Sequence, residues 1–97
     1  MSGQLTKLSE AEINEALDKL PDWSLVGDAI QRNYQFDDFV ASMAFVNKVA
    51  DAAEARQHHP DILIRYNKVM LTLSTHDAGG ITQKDFDLAA EADAFAG

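Results

Sequence analysis

The chain holds three histidines, and all of them fall in one short stretch: the pair His58-His59, closed by Pro60, and then His76. Histidine is the side chain whose unperturbed pKa lets it give and take protons near neutral pH. The readily titrating groups are therefore gathered around one supersecondary unit. The pair sits in Glu54-Ala-Arg-Gln-His58-His59-Pro60-Asp61, at the end of a predicted helix, and His76 follows a predicted hairpin. At such a helix end the dipole and nearby carboxylates raise a histidine pKa, whereas burial lowers it.

Three chemistries compete for the trio. Histidines can simply cap a helix or decorate a surface. A three-histidine metal site is the second reading, but the His-x-x-x-His spacing of one helix face is absent and adjacent histidines are awkward ligands for one ion. The third is a paired general acid and general base, which needs no metal, nucleophile or cofactor loop. The sequence supplies no G-x-G-x-x-G, P-loop or G-x-S-x-G. Without cysteine there are no disulfides, and a metal would need nitrogen and oxygen ligands. Asp85 has a sufficient structural role at a helix N-terminus, Glu54 reads as solvated, Trp23 as core or interface, and Tyr66 as packed on the Ile62/Ile64 face.

The elements that must position these residues follow from local signals. Ser9 and Glu12 form a capping box, Leu8 can staple onto Ile13, and Ile13, Ala16, Leu17 and Leu20 keep helical spacing until Pro21. Strands are expected at Trp23–Val26 and Ala29–Phe36 around Gly27-Asp28, a type II′ hairpin turn. Ile30, Arg32, Tyr34 and Phe36 alternate there with a polar set, so one face of the second strand meets solvent or a partner. Asp37 or Asp38 caps a long helix that ends near Gln57, with a stripe of Phe39, Met43, Val46, Ala50 and Ala53 widened by Val40, Phe45 and Val49. Ile62–Tyr66 and Lys68–Thr75 form a second hairpin around Asn67-Lys68, where Asn tolerates positive φ. The alternation places His76 on the Met70/Thr72/Ser74 side. After the loop Asp77-Ala78-Gly79-Gly80, Thr82 caps a third helix with Asp85 at N3 and Ile81 stapled onto Phe86. The order α-β-β-α-β-β-α predicts an α+β two-layer domain, a four-stranded antiparallel sheet with helices on one face.

At 97 residues, 46 % hydrophobic and 25 % charged, the chain is sized and composed for one globular domain over 1–97. Sixteen acids against eight bases give a net charge of -8, spread evenly along the chain, which disfavours direct nucleic-acid binding. MSGQLTKLSE lacks the apolar core of a signal peptide and no apolar run reaches membrane-spanning length, so the cytoplasm is the expected location.

Glu54-x-x-x-His58-His59-Pro60-Asp61, Tyr66-Asn67-Lys68-Val69, Leu73-Ser74-Thr75-His76 and Asp85, at these separations, strongly resemble the pterin-4a-carbinolamine dehydratases. Animal members of that family double as the dimerization cofactor of a homeodomain transcription factor. The likeness reaches back through Trp23 to Leu20. It implies the α+β fold above, assembly into homodimers or homotetramers, and dehydration of 4a-hydroxytetrahydropterin to quinonoid dihydropterin. That reaction regenerates the cofactor of aromatic amino acid hydroxylases, so a functional link to such an enzyme is expected. The resemblance assigns His58, His59 and His76 to the acid/base and binding cluster, with Glu54, Asp61, Thr75 and Asp85 binding or orienting. The pterin is the substrate, and no cofactor, metal, nucleic-acid or membrane partner is implied. Two departures stand out: Ile62 replaces an aromatic residue of the animal relatives, and Ala78-Gly79-Gly80 is a smaller, more mobile loop than a Cys-containing version. A binding module using the Phe39–Ala53 stripe and a metal-binding protein remain the competing functions. The Ala29–Phe36 strand is expected to offer a free edge to a symmetry mate.

Overall fold

The computed structural model describes residues 6–97. Helix α1 (Glu10–Lys19) opens on a complete capping box: the Ser9 amide donates to Glu12 Oε1 at 2.8 Å and the Glu12 amide to Ser9 Oγ at 3.2 Å. The Ser9 backbone donor, helped by its hydroxyl, holds the Glu12 carboxyl below its ordinary pKa. Strands β1 (Ser24–Val26) and β2 (Ala29–Gln35) flank Gly27-Asp28, where only Gly27 takes a positive φ, 61°, as a type II′ turn demands. Helix α2 (Phe39–Arg56) is capped by Asp38, whose carboxylate accepts the Ala41 amide at 2.8 Å. Then come β3 (Asp61–Arg65), β4 (Lys68–Leu73), a 3₁₀ turn (His76–Ala78) and α3 (Gln83–Ala96). The α+β order is as expected, but β4 stops at Leu73 instead of Thr75, and His76, expected at the strand's end, opens the 3₁₀ turn that runs into the predicted loop.

The sheet runs β1-β2-β4-β3 and is antiparallel throughout. Its central ladder pairs Ile30 with Leu73, Arg32 with Leu71 and Tyr34 with Val69, so Ile30, Tyr34, Val69, Leu71 and Leu73 all turn into the core. Gln31, Asn33 and Gln35 point the other way, as their polar character predicts. The anticipated free edge on Ala29–Phe36 is corrected in extent. β4 covers one side of β2 from Ile30 to Gln35, and β1 covers the other side from Ala29 to Gln31. Among the described residues the wholly unpaired edges belong to the outer strands, the short β1 and the longer β3.

Two further expectations are overturned. The buried face of α2 is Ser42, Phe45, Val46, Val49, Ala52 and Ala53, whereas Phe39 (48 % exposed), Val40 (75 %) and Ala50 face outward. Ser42 can enter the core because its hydroxyl donates to the Asp38 carbonyl at 3.0 Å. In the β3–β4 turn the pair Arg65↔Lys68 makes Tyr66-Asn67 the two loop residues, and Tyr66 rather than Asn67 takes the positive φ, 52°. Leaving the strand alternation also leaves Tyr66 exposed at 65 % instead of packed. The register responsible is the one that buries Val69 and Leu71; a one-residue slip would turn both outward. Asn67 instead clamps the turn to the end of β2, donating its side-chain amide to the Phe36 carbonyl (3.1 Å) and accepting the Phe36 N–H (2.8 Å).

Trp23 is buried, as read from the sequence, and its indole N–H donates to Asp93 on α3 at 3.0 Å. The same Oδ1 accepts from Arg32 Nη1 at 2.7 Å and the Tyr34 hydroxyl at 2.5 Å. Arg32 also lies 4.2 Å over the Tyr34 ring. Burial first, and the bond to Asp93 second, push the Tyr34 hydroxyl pKa well above its ordinary value.

Candidate active site

The histidine pair is placed by the way α2 stops. Gln57 adopts a left-handed conformation (φ 52°, ψ 43°). Its amide reaches the Glu54 carbonyl at 3.2 Å, and the His58 amide reaches back to the Ala53 carbonyl at 3.0 Å. This is the Schellman pattern, here with glutamine at the position glycine usually takes. It ends the helix before Pro60 acts and sends the two histidines opposite ways.

His58 turns inward and is 8 % exposed. Its Nε2 meets Oδ1 of the fully buried Asp85 at 2.5 Å. Asp85 is held in turn by the start of α3: its Oδ2 accepts the Thr82 amide at 2.9 Å and the Thr75 hydroxyl at 2.8 Å. Thr75 gives its single hydroxyl hydrogen to Asp85, so the Thr75–Thr82 bond at 2.7 Å is donated by Thr82. A carboxylate accepts, which assigns the hydrogen between the pair to Nε2 and leaves Nδ1 as the other ring nitrogen. Asp85 thus completes a capping box with Thr82 and anchors a histidine at once.

His59 turns outward. Its Nε2 meets Glu54 Oε2 at 2.5 Å, yet the side chains are 59 % and 78 % exposed. His76 begins the 3₁₀ turn and is exposed. With Asp28, Ser74, Gly79 and Gly80 it lines a shallow cavity of about 260 Å³. The loop behind it is tied at its base, Thr75 N–H to Gly80 O at 2.8 Å and Gly80 N–H to Thr75 O at 3.3 Å. Asp61 opens β3 opposite Thr72, exposed and outside these hydrogen-bonded groups.

The structure therefore joins His58, Asp85 and Thr75 in one network and His59 with Glu54 in another. The register Asp61↔Thr72 runs the His58–Pro60 lead-in alongside the end of β4, where Thr75 and His76 follow. Thr82, as donor to Thr75, and Asp28, as neighbour of His76, are the residues the sequence reading used only as a cap and a turn. Strand pairing is the signal that reveals Asp28, because it brings the β1–β2 turn to the same end of the sheet. A second concavity, about 320 Å³ between α1 and α3, is floored by Leu8, Ala16, Leu20 and Phe86 and contains no histidine. Among the described residues, no three His, Cys, Asp or Glu side chains are grouped to hold a metal ion, and no helix is long and apolar enough to cross a membrane.

Fold and site together define an α+β two-layer protein with carboxylate-held histidines at one end of its sheet. Residues 6–95 match the model of the family described as pterin 4 alpha carbinolamine dehydratase, and the chain belongs to that family. A Cyanothece protein named for that dehydratase is 62 % identical over 84 % of either chain. A Chloroflexus aurantiacus protein of the same name is 56 % identical over 96 % of this chain and all of its own. A Brucella melitensis structure, a transcriptional coactivator/pterin dehydratase, superposes with a TM-score of 0.92 at 39 % identity, covering 95 % of this chain and all of that one. A pterin dehydratase-like RuBisCO assembly factor of the alpha-carboxysome shares the fold alone, with a TM-score of 0.64 at 24 % identity over 77 % of this chain and 87 % of its own.

Proposed function

We propose that the protein dehydrates 4a-hydroxytetrahydropterin to quinonoid dihydropterin and water by histidine general acid/base catalysis. The observation that carries this reading is the pair of histidine–carboxylate contacts, His58–Asp85 and His59–Glu54, beside His76 at one end of the sheet. One base takes the proton from pterin N5, the C4a–O bond breaks as an acid protonates the leaving hydroxyl, and a C4a=N5 double bond forms. The reaction involves no net oxidation or reduction and needs no second substrate. Each positioned proton-transfer group is worth roughly 10²–10⁴-fold in rate. Glu54 and Asp85 orient the rings, Thr75 steadies Asp85, and Asp61 borders the substrate. After a separate two-electron reduction to the tetrahydropterin by another enzyme, the product serves an aromatic amino acid hydroxylase again as recycled cofactor in the cytoplasm.

The test follows loss of freshly generated 4a-hydroxytetrahydropterin by ultraviolet absorbance, with the uncatalysed rate subtracted. Acceleration by the wild type that disappears in the His59→Ala/His76→Ala double variant supports the assignment. No acceleration from folded protein overturns it.

A second role, self-assembly or partner binding, is favoured by the outward Phe39 and Val40 of α2 and the unpaired edge of β3. The coactivator name of the Brucella relative points the same way. A homodimer or homotetramer is expected by light scattering at micromolar concentration; a monomeric mass refutes it.

A further inference from the structure

Asp28 occupies the β1–β2 turn, outside every role assigned above, yet it shares the shallow cavity with His76 and Ser74. Gly79 and Gly80 contribute only backbone there, so these three supply its side-chain chemistry. Strand order explains the meeting. The pair Ile30↔Leu73 sets the turn before β2 beside the exit of β4, and Asp61↔Thr72 sets His59 along the other flank of that exit. Asp28 and His59 thus bracket His76 across two strand spacings, about 10 Å. Among the described residues, the Asp28 carboxylate has neither a hydrogen-bond nor an ion-pair partner, so both oxygens are open to a ligand.

Resting on the pterin reading above, we infer that Asp28 is a substrate-recognition residue accepting the paired N–H donors of the 2-amino-4-oxopyrimidine edge. The 2-amino group and N3–H of a pterin stand side by side, and the two oxygens of a carboxylate match them in a charge-assisted, bidentate contact. With that edge held at Asp28, C4a and N5 project back across the sheet end toward the histidines. The binding and reacting ends of the bicycle are then served by different loops.

Lumazine, the same bicycle with a 2-oxo group in place of the 2-amino group, is the discriminating probe. Calorimetry on wild type and Asp28→Asn, with pterin and lumazine as the two ligands, reads the contact directly. The wild type is expected to favour pterin by about tenfold, as one exposed bidentate pair provides. In Asp28→Asn the carboxamide offers one acceptor and one donor, the complement of lumazine N3–H and O2. Its preference is expected to invert, a gain that misfolding cannot imitate. In dehydration assays the loss falls on KM rather than kcat. Wild type that binds and dehydrates pterin, with Asp28→Asn unchanged in both affinity and preference, overturns the inference and leaves the dehydratase reading standing. Wild type that neither binds nor dehydrates pterin removes both.

Discussion

Asp85 Oδ1 and His58 Nε2 stand 2.5 Å apart in a site where the carboxylate is fully buried and the ring nearly so. His59 makes a contact of equal length to Glu54 in open solvent. Two neighbouring histidines therefore carry the same type of partner in opposite surroundings, and substitutions should separate what each partner does.

Asp85→Ala strands the Thr75 hydroxyl, the Thr82 amide and His58 together, and is expected to cost about 3 kcal/mol of stability. Glu54→Ala is expected to change stability by no more than about 0.5 kcal/mol, because the pair is exposed. It should still slow dehydration by about tenfold or more by freeing the His59 ring. Urea unfolding and the absorbance assay on both variants check this; equal destabilisation would refute the contrast.

Tyr34 gives the fold an alkaline limit. Its hydroxyl pKa is raised by burial and by Asp93 above the unfolded value of about 10. Between those two values the unfolded chain has lost the proton and the folded one keeps it, so stability is intact below pH 10 and falls as pH rises beyond it. Denaturant midpoints from pH 8 to 11 should decline in wild type and decline less in Tyr34→Phe.

Tyr66 holds a left-handed conformation that costs a non-glycine residue about 1–2 kcal/mol. Being largely exposed, it loses little packing on replacement. Tyr66→Gly is expected to raise stability by up to about 1 kcal/mol after the added unfolded-state entropy. A fall in Tm would show that the ring has a partner.

Asp93→Ala removes the acceptor of the Trp23 indole, the Tyr34 hydroxyl and Arg32 Nη1 at once, leaving Arg32 only its longer ion pair with Asp22 at 3.5 Å. The half-buried site tempers the penalty to about 2–3 kcal/mol. The Trp23 fluorescence maximum should shift with the lost bond, and an unchanged Tm would contradict the role of Asp93 as a tie between α3 and the sheet.

What the sequence revealed depends on how far each cause lies along the chain. Both capping boxes were legible because Ser9 and Glu12, or Thr82 and Asp85, are three residues apart. The inward parity of Arg32 could be read from strand alternation, but its partner Asp93 lies on another element. The buried face of α2 departs from its apolar stripe because Ser42 looks polar until its hydroxyl finds the Asp38 carbonyl. The β3–β4 turn falls one residue earlier than Asn67 suggests because burial of Val69 and Leu71, not the turn preference of Asn67, sets the register. At the site, the histidines announced themselves by type. The His58–Asp85 contact needed a fold that brings the end of α2 to the start of α3.

The β2–β4 ladder has a kinetic consequence. Each hairpin can close locally, but Ile30 meets Leu73 only after α2 and β3 have been traversed. Such non-local pairing is the slow part of assembly. Asp28 arrives with the first hairpin, and Thr75 and His76 arrive with the second. A nascent chain carrying only its first half can be folded in part and have no catalytic competence at all; that competence appears when the two halves zip together.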